Sequence, residues 1–134
     1  MHKIFKPKSA FTIIEIITVV VIIGIIAAFA LPNFNKSLEK GRYRNARLNV
    51  IAIHSALKIY FAQNGTYLPA AADLDTINSN LDINIVDNDF DYSYVATATT
   101  FSIAAARVGL NYTITADQDS ISDTNPTCSG PDCP

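Results

Sequence analysis

An apolar run from Phe11 to Leu31 dominates the hydrophobic pattern of this 134-residue chain. Only Thr12, Glu15 and Thr18 are clearly polar within it, and a helix of this length spans the hydrocarbon core of a bilayer. The run therefore predicts a membrane-spanning helix. A carboxylate inside such a span is costly unless a partner neutralises it, so Glu15 is a candidate functional residue.

The apolar pattern changes its period beyond Pro32, which lacks a backbone donor and predicts a kink or a loosened turn in the helix. From there, apolar residues recur at helical spacing and form one stripe, which predicts an amphipathic continuation. The members of this stripe are Leu38, Ala46, Val50, Ile53, Leu57 and Phe61. Gly65 is a typical C-terminal cap, so we expect one helix from Thr12 to Asn64, about 80 Å long. Its first half projects beyond any small domain and must be buried by something else.

Three later segments alternate between apolar and polar residues with the period of a strand. They are residues 90–97, 101–106 and 112–116, separated by short turns. Alternation of this kind predicts an antiparallel meander whose aromatic-rich face packs on the amphipathic half of the helix. The expected fold class is α+β: a long N-terminal helix, membrane-spanning in its first half, packed by its second half on a small antiparallel sheet. Residues 66–81 are expected to form a loop with a short helical turn, and residues 117–134 an irregular tail.

Charge is distributed unevenly, although the formal net charge is only −2. Residues 1–10 carry three lysines and no acid, and residues 33–58 carry six bases and one acid, Glu39. From Ile59 onward there are ten aspartates and one base, Arg107. This asymmetry indicates oriented contacts between subunits or with a membrane surface, although solvated helix and domain faces would show it too. The acidic C-terminal part argues against nucleic acid as a partner there.

The residues around the start of the apolar run resemble a known signal. The string Lys8-Ser9-Ala10-Phe11-Thr12-Ile13-Ile14-Glu15 resembles the class III signal of type IV pilins and pseudopilins. That signal has a basic leader, a small residue, then Phe-Thr-Leu-Ile-Glu and a long apolar run. Ala10 stands where the family usually has Gly, and Ile13 where it usually has Leu. Gly24 and Pro32 also fall where such proteins often have them.

The resemblance implies a processing and assembly route. Residues 1–10 would be a leader that the prepilin peptidase removes between Ala10 and Phe11, and the new Phe11 amine would be N-methylated. Residues 11–32 would serve as membrane anchor and then as fibre core, followed by an amphipathic helix over 33–64 and a sheet domain over 65–134. In the fibre, Glu15 would pair with the Phe11 amine of a neighbouring subunit.

The resemblance also implies partners and a location. The chain would be a non-enzymatic structural subunit without a cofactor, held in the bacterial inner membrane with its C-terminus in the periplasm before it joins an extracellular or periplasmic filament. Its partners would be copies of itself, other pilins, the peptidase and the inner-membrane assembly machinery. Three alternatives stay open: a type II secretion pseudopilin, a minor or tip pilin that acts as a binding module, and a tethered domain that never polymerises.

Cys128 and Cys133 lie on either side of a Gly-Pro turn in the tail. The membrane signal would place this tail outside the cytoplasm, where disulfides persist. No further ligands with metal-site spacing lie nearby in the sequence, so a small disulfide loop is favoured over a metal site.

Candidate chemistry is otherwise sparse. The sequence has no nucleophile motif and no glycine-rich phosphate loop, and His54 is interpreted as an ordinary packed or surface histidine. The weak metal candidates are four aspartates, Asp87, Asp89, Asp117 and Asp119. The first pair opens like a calcium loop, but Tyr92 and Ala98 occupy the positions that need glycine and glutamate. We therefore interpret both pairs as solvated turns.

Overall fold

The computed structural model describes residues 11–119 and 126–134 of the chain. Two helices precede a four-stranded sheet in which each strand pairs antiparallel with the next one along the chain. This confirms the predicted α+β class. The elements are α1 (Ile13–Asn64), α2 (Leu74–Leu81), β1 (Phe90–Ala96), β2 (Phe101–Arg107), β3 (Thr113–Asp117) and β4 (Thr127–Ser129).

Helix α1 has 52 residues, and both of its ends lie within one residue of the sequence prediction. It begins after Thr12 and ends before Gly65, whose φ of +74° is in the left-handed region that glycine adopts without strain. The Gly65 N–H donates to the Phe61 carbonyl at 2.8 Å. This bond satisfies one of the carbonyls that a helix end leaves without an internal partner.

Within the described ranges, no single helix is long and apolar enough to cross a membrane. Two parts of α1, Ile13–Phe29 and Asn33–Asn64, are long and apolar enough only when they are taken together as one bent helix. Pro32 lies between them, in a stretch (residues 30–32) whose side chains are outside the described part of the structure. The helix break at Pro32 therefore stays a prediction.

The contacts divide the chain into two compact units, the first ending at Leu38 and the second running from Glu39 to Pro134. Among the described side chains of the first unit, the helix buries no large apolar one. From Phe11 to Phe29, every one of them is at least 51% exposed. That exposure is the reverse of what a helix in an aqueous domain shows, since such a helix buries one apolar face.

The second unit has a continuous hydrophobic core. Helix α1 contributes four members of the predicted stripe, Ala46, Val50, Ile53 and Leu57, while the sheet contributes alternate inward-facing residues and α2 contributes Ile77. The other two members of the predicted stripe are outside the core, since Leu38 is 43% exposed and Phe61 is only half-buried. The fully buried large side chains are Val50, Ile53, Leu57, Ile77, Tyr92, Tyr94, Ile103 and Ile114. Strand β1 shows the predicted alternation, with Phe90, Tyr92 and Tyr94 buried while Asp91 and Val95 are exposed.

The tail after β3 is more regular than predicted. Thr127–Ser129 forms β4 against the start of β3, with Cys128 opposite Ile114. The Cys128–Cys133 disulfide closes the loop that follows. A Cβ atom on Gly130 would collide with the backbone of Asn111 and Tyr112, so only glycine lets the tail approach this closely.

Helix α2 replaces the single helical turn that was expected in residues 66–81. Its N-cap is Asp73, whose carboxylate accepts the backbone N–H of Thr76 at 2.8 Å. Only Ile77 of α2 is fully buried. With eight residues and one buried side chain, the helix is too short to show a clear 3.6-residue period in the sequence.

Candidate functional site

At the N-terminal end of α1, Thr12 and Glu15 cap the helix through reciprocal hydrogen bonds. The Glu15 carboxylate accepts the Thr12 backbone N–H at 2.7 Å and the Thr12 hydroxyl at 2.8 Å. In return, the Glu15 N–H donates to the Thr12 hydroxyl oxygen at 3.3 Å. This is a capping box, which satisfies two of the donors left open at a helix start.

Both bonds that Glu15 accepts end on Oε2. Among the described residues no donor reaches Oε1, so this oxygen can accept a bond from another molecule. Phe11, next to the box, is 82% exposed. The site therefore presents one carboxylate oxygen and an aromatic ring at the start of a helix with an otherwise apolar surface. Ala10, on the other side of the predicted cleavage point, lies outside the described residues.

A second polar cluster joins α1 to the sheet within the second unit. Glu39 lies at its centre and accepts from Arg107 Nε at 2.7 Å, from Arg107 Nη2 at 3.2 Å and from the Tyr112 hydroxyl at 2.6 Å. Arg107 also donates from Nη1 to the carbonyls of Asp89 and Val108, both at 2.8 Å. Because Arg107 ends β2 and Tyr112 precedes β3, the cluster ties one end of the sheet to the helix.

The Glu39–Arg107 pair is largely shielded from water, with side-chain exposures of 16% and 8%. The Arg107 hydrogen bonds lower the pKa of Glu39 from 4.5 to about 2, against the opposing effect of burial. Burial and the bond to Glu39 raise the pKa of Tyr112. Arg107 is therefore committed to an internal ion pair and is not available to bind a nucleic-acid phosphate.

The aspartates proposed as weak metal ligands have other roles or are dispersed. Asp87 accepts from the Tyr92 hydroxyl at 2.7 Å and from Asn49 Nδ2 at 3.2 Å, which joins the loop before β1 to α1. Asp89 forms ion pairs with Arg42 of α1, at 3.2 Å, and with Arg107, at 3.4 Å. Asp117 and Asp119 are exposed at the end of β3. Across residues 11–119 and 126–134, no three His, Cys, Asp or Glu side chains are placed to share a metal ion.

His54 is buried in the second unit, with 5% of its surface exposed. Its ring packs edge-on against Phe101, with centroids 5.1 Å apart. Burial lowers the pKa of His54, and the charge of Lys58 adds to this effect. Of the two interpretations left open by the sequence, a packed or a surface histidine, the structure shows the packed one.

Comparison with known proteins gives relatives for about half of the chain. The type IV major pilin protein PilA of Myxococcus xanthus is 38% identical over 71 residues, which are 52% of this chain and 32% of that protein. The type II secretion system core protein G of Vibrio cholerae is 35% identical over 48% of this chain and 44% of its own length. The core protein G of Aeromonas hydrophila is 33% identical over 54% of the chain and 50% of its own length.

The chain is related to the type IV pilins and to the type II secretion pseudopilins. The matched part of the chain spans a third to a half of the length of these curated relatives. No family model matches the chain, and no solved structure does.

The sequence predicts assembly roles for Phe11 and Glu15, which stay predictions, but two sets of contacts around them and in the second unit were missed. The first is the capping box, although Thr-x-x-Glu before an apolar run is its usual pattern. The second is the Glu39–Arg107–Tyr112 cluster. One clue was present there, because Glu39 and Arg107 are each the lone charge of their sign in a long segment.

Proposed function

We propose that the chain is a prepilin, the structural subunit of a type IV pilus or a related filament, which polymerises through its N-terminal helix. The observation that carries this proposal is the exposure of every large apolar side chain from Phe11 to Phe29. A surface of this kind needs lipid or other apolar helices around it. The same surface can contact lipid first and neighbouring subunits later, so transfer into a fibre exposes no new apolar area.

Glu15 is proposed to set the stagger between neighbouring helices. After cleavage between Ala10 and Phe11, the N-methylated Phe11 amine would carry a positive charge in an apolar environment. Such a charge is costly alone and is stabilised by an opposite charge close by. Oε1 of Glu15, which receives none of the capping bonds described above, is the proposed acceptor for the amine of the neighbouring subunit.

Fibre yield in two variants separates this role from simple helix capping. Glu15→Ala removes both the cap and the proposed partner of the amine, so fibre yield should fall steeply at matched levels of cleaved protein. Thr12→Ala disrupts the capping box but keeps the carboxylate, and loss of a cap costs only about 1 kcal/mol. Its fibre yield should stay near that of the natural sequence. If the two variants assembled equally well, or failed equally, the pairing would be refuted.

The proposed location follows from the same helix. We place the mature chain in the bacterial inner membrane, with residues 39–134 in the periplasm, before it enters a filament outside that membrane. Its proposed partners are copies of itself, other pilins, the prepilin peptidase and the inner-membrane assembly machinery. No enzymatic activity is proposed for the chain.

The second candidate is a type II secretion pseudopilin, and it is favoured by the relatives named core protein G. The two candidates differ in what a deletion strain loses. Loss of surface fibres with normal protein secretion indicates a pilus subunit, whereas loss of secretion without loss of surface fibres indicates a pseudopilin. A nucleic-acid-binding tip subunit is less favoured, because Arg107 is internal and the rest of residues 59–134 carries no other Lys or Arg.

A further inference from the structure

The hairpin turn between β2 and β3 exposes two large apolar side chains. It consists of residues 108–111, in which Val108 is 49% exposed and Leu110 is 39% exposed. Gly109 between them has a φ of +84°, in the left-handed region that glycine adopts without strain, so the chain reverses within this short loop. We call residues 108–111 the apolar turn.

The turn at the opposite end of the sheet is polar. It joins β1 to β2 through residues 97–100, three of which are threonines. The Thr97 hydroxyl accepts the backbone N–H groups of Thr99 and Thr100, at 3.3 and 3.0 Å. Polar side chains that bond the backbone in this way are usual in turns that face water. The side chains of the apolar turn indicate an apolar partner instead.

Glu39 holds the apolar turn at the end of the second unit where α1 enters it. Its carboxylate accepts from Arg107 Nε at 2.7 Å and from the Tyr112 hydroxyl at 2.6 Å, and these two residues flank the turn. The tail adds a bond, because Asp132 accepts the Asn111 N–H at 2.8 Å. The turn is therefore fixed beside Glu39, the first residue of the unit.

The chain itself limits the distance between this end of the unit and the apolar segment. Glu39 lies eight residues beyond Leu31. Eight residues cover about 12 Å as a helix and no more than about 28 Å when fully extended. A bilayer that holds residues 11–31 therefore stays within reach of the apolar turn. A small apolar contact is sufficient here, since tethering acts as a high local concentration.

Charge contributes little to this surface. The apolar turn contains no charged side chain. Arg107, which precedes it, forms ion pairs with Glu39 and Asp89 at 2.7 and 3.4 Å. Burial of apolar area should therefore drive the contact, and neutral phosphatidylcholine should be a sufficient partner without anionic lipid.

We infer that the apolar turn docks on the surface of the bilayer that anchors the same chain. The inference rests on the proposed function, since it needs residues 11–31 in a membrane. Docking would hold this end of the second unit at the membrane until assembly begins, and extraction into a filament would release it.

Quenching of a fluorescent label by lipid measures the contact. The full-length chain is placed at low density in phosphatidylcholine vesicles that contain spin-labelled phosphatidylcholine, with one introduced cysteine per chain. The natural cysteines are joined in a disulfide and do not react with the label. Asn111→Cys reports on the apolar turn, Thr99→Cys on the opposite turn and Val21→Cys on the apolar segment. Strong quenching is expected for Asn111→Cys and Val21→Cys, and little for Thr99→Cys.

Two matched variants show which side chains carry the contact. Adding Val108→Ser/Leu110→Ser to Asn111→Cys should reduce quenching to the level of the opposite turn. The ratio of docked to free turns should fall about tenfold or more, since even partial burial of two aliphatic side chains has an effect of that size. Adding Val86→Ser/Val95→Ser instead removes two other apolar side chains, which are 79% and 64% exposed, and should leave quenching unchanged.

Quenching of the Val21→Cys label without quenching of the Asn111→Cys label would overturn the inference. Unchanged quenching in Val108→Ser/Leu110→Ser would also overturn it. The same holds if the Asn111→Cys label is shielded from a water-soluble quencher only in assembled fibres, because a second copy would then be the partner. Absence of quenching of the Val21→Cys label would instead refute the proposed membrane anchoring.

Discussion

Replacing Glu39 by Gln should destabilise the second unit and remove the part of its sensitivity to acid between pH 4.5 and 2 that comes from Glu39. The glutamine has nearly the same size as the glutamate but cannot neutralise Arg107. The Arg107 side chain is only 8% exposed, and after the change it would keep only its longer ion pair with Asp89, at 3.4 Å. Removing one partner of such a pair costs more than the pair itself contributes, because the other charge stays desolvated.

The magnitude follows from the pKa of Glu39, which is lowered from 4.5 to about 2. A difference of that size corresponds to ~3 kcal/mol, and screening by nearby water reduces it to ~2 kcal/mol. Because the folded-state pKa lies below the unfolded one, this contribution is fully present above pH 4.5. It is lost progressively as the pH falls toward 2.

The assay is denaturant unfolding of the full-length chain in detergent, followed by near-UV circular dichroism. All six tyrosines follow Glu39 in the sequence and the chain has no tryptophan, so the tyrosine bands report on the second unit alone. The other carboxylates contribute equally to the natural chain and to Glu39→Gln, so their contributions cancel in the difference between the two unfolding free energies. It should be ~2 kcal/mol at pH 7 and shrink toward zero near pH 2.

Asp91→Asn is the matched control, because it removes one exposed carboxylate from β1 without touching the cluster. It should change the unfolding free energy by less than about 0.5 kcal/mol. A difference for Glu39→Gln that is as small as this control, or that stays constant from pH 7 to pH 2, would refute the role assigned to the pair.

Three further predictions concern other parts of the chain. Removing the disulfide by Cys128→Ser/Cys133→Ser should cost ~2 kcal/mol and speed amide hydrogen exchange where β4 pairs with β3; unchanged exchange would contradict it. Since burial lowers the pKa of His54, the natural chain should lose stability as the pH falls below 6.5, and His54→Phe should lack this loss. The prediction would be refuted if the unfolding free energies of both proteins fell equally with pH. Loosening at Pro32 should appear as broken α-helical geometry in a fibre map, and continuous α-helix from Ile25 to Phe34 would contradict it.

The long helix and the first three strands could be predicted because their patterns are long and periodic. The apolar stripe of α1 continues over several turns, and Phe90, Tyr92 and Tyr94 alternate cleanly with polar neighbours. Strand β4 has only three residues, so no alternation could be seen. Its position depends on the close approach of Gly130 to Asn111, which is a tertiary contact.

The polar contacts were harder to predict, because they join residues far apart in the sequence. Glu39 and Arg107 are separated by 68 residues, and Asn49 and Asp87 by 38. Sequence spacing alone suggested that Asp87 could belong to a calcium loop. In the structure its side chain instead binds Tyr92 and Asn49, since the turn before β1 packs against the helix.

A cryo-electron microscopy map of fibres purified from cells that express the natural chain tests the central proposal most directly. It should show a helical polymer of this chain that begins at Phe11, with residues 11–29 packed against the same segment of neighbouring copies in the fibre interior and residues 39–134 on the outside. A fibre built from a different subunit, with this chain recovered only from the membrane and still starting at Met1, would contradict the proposal.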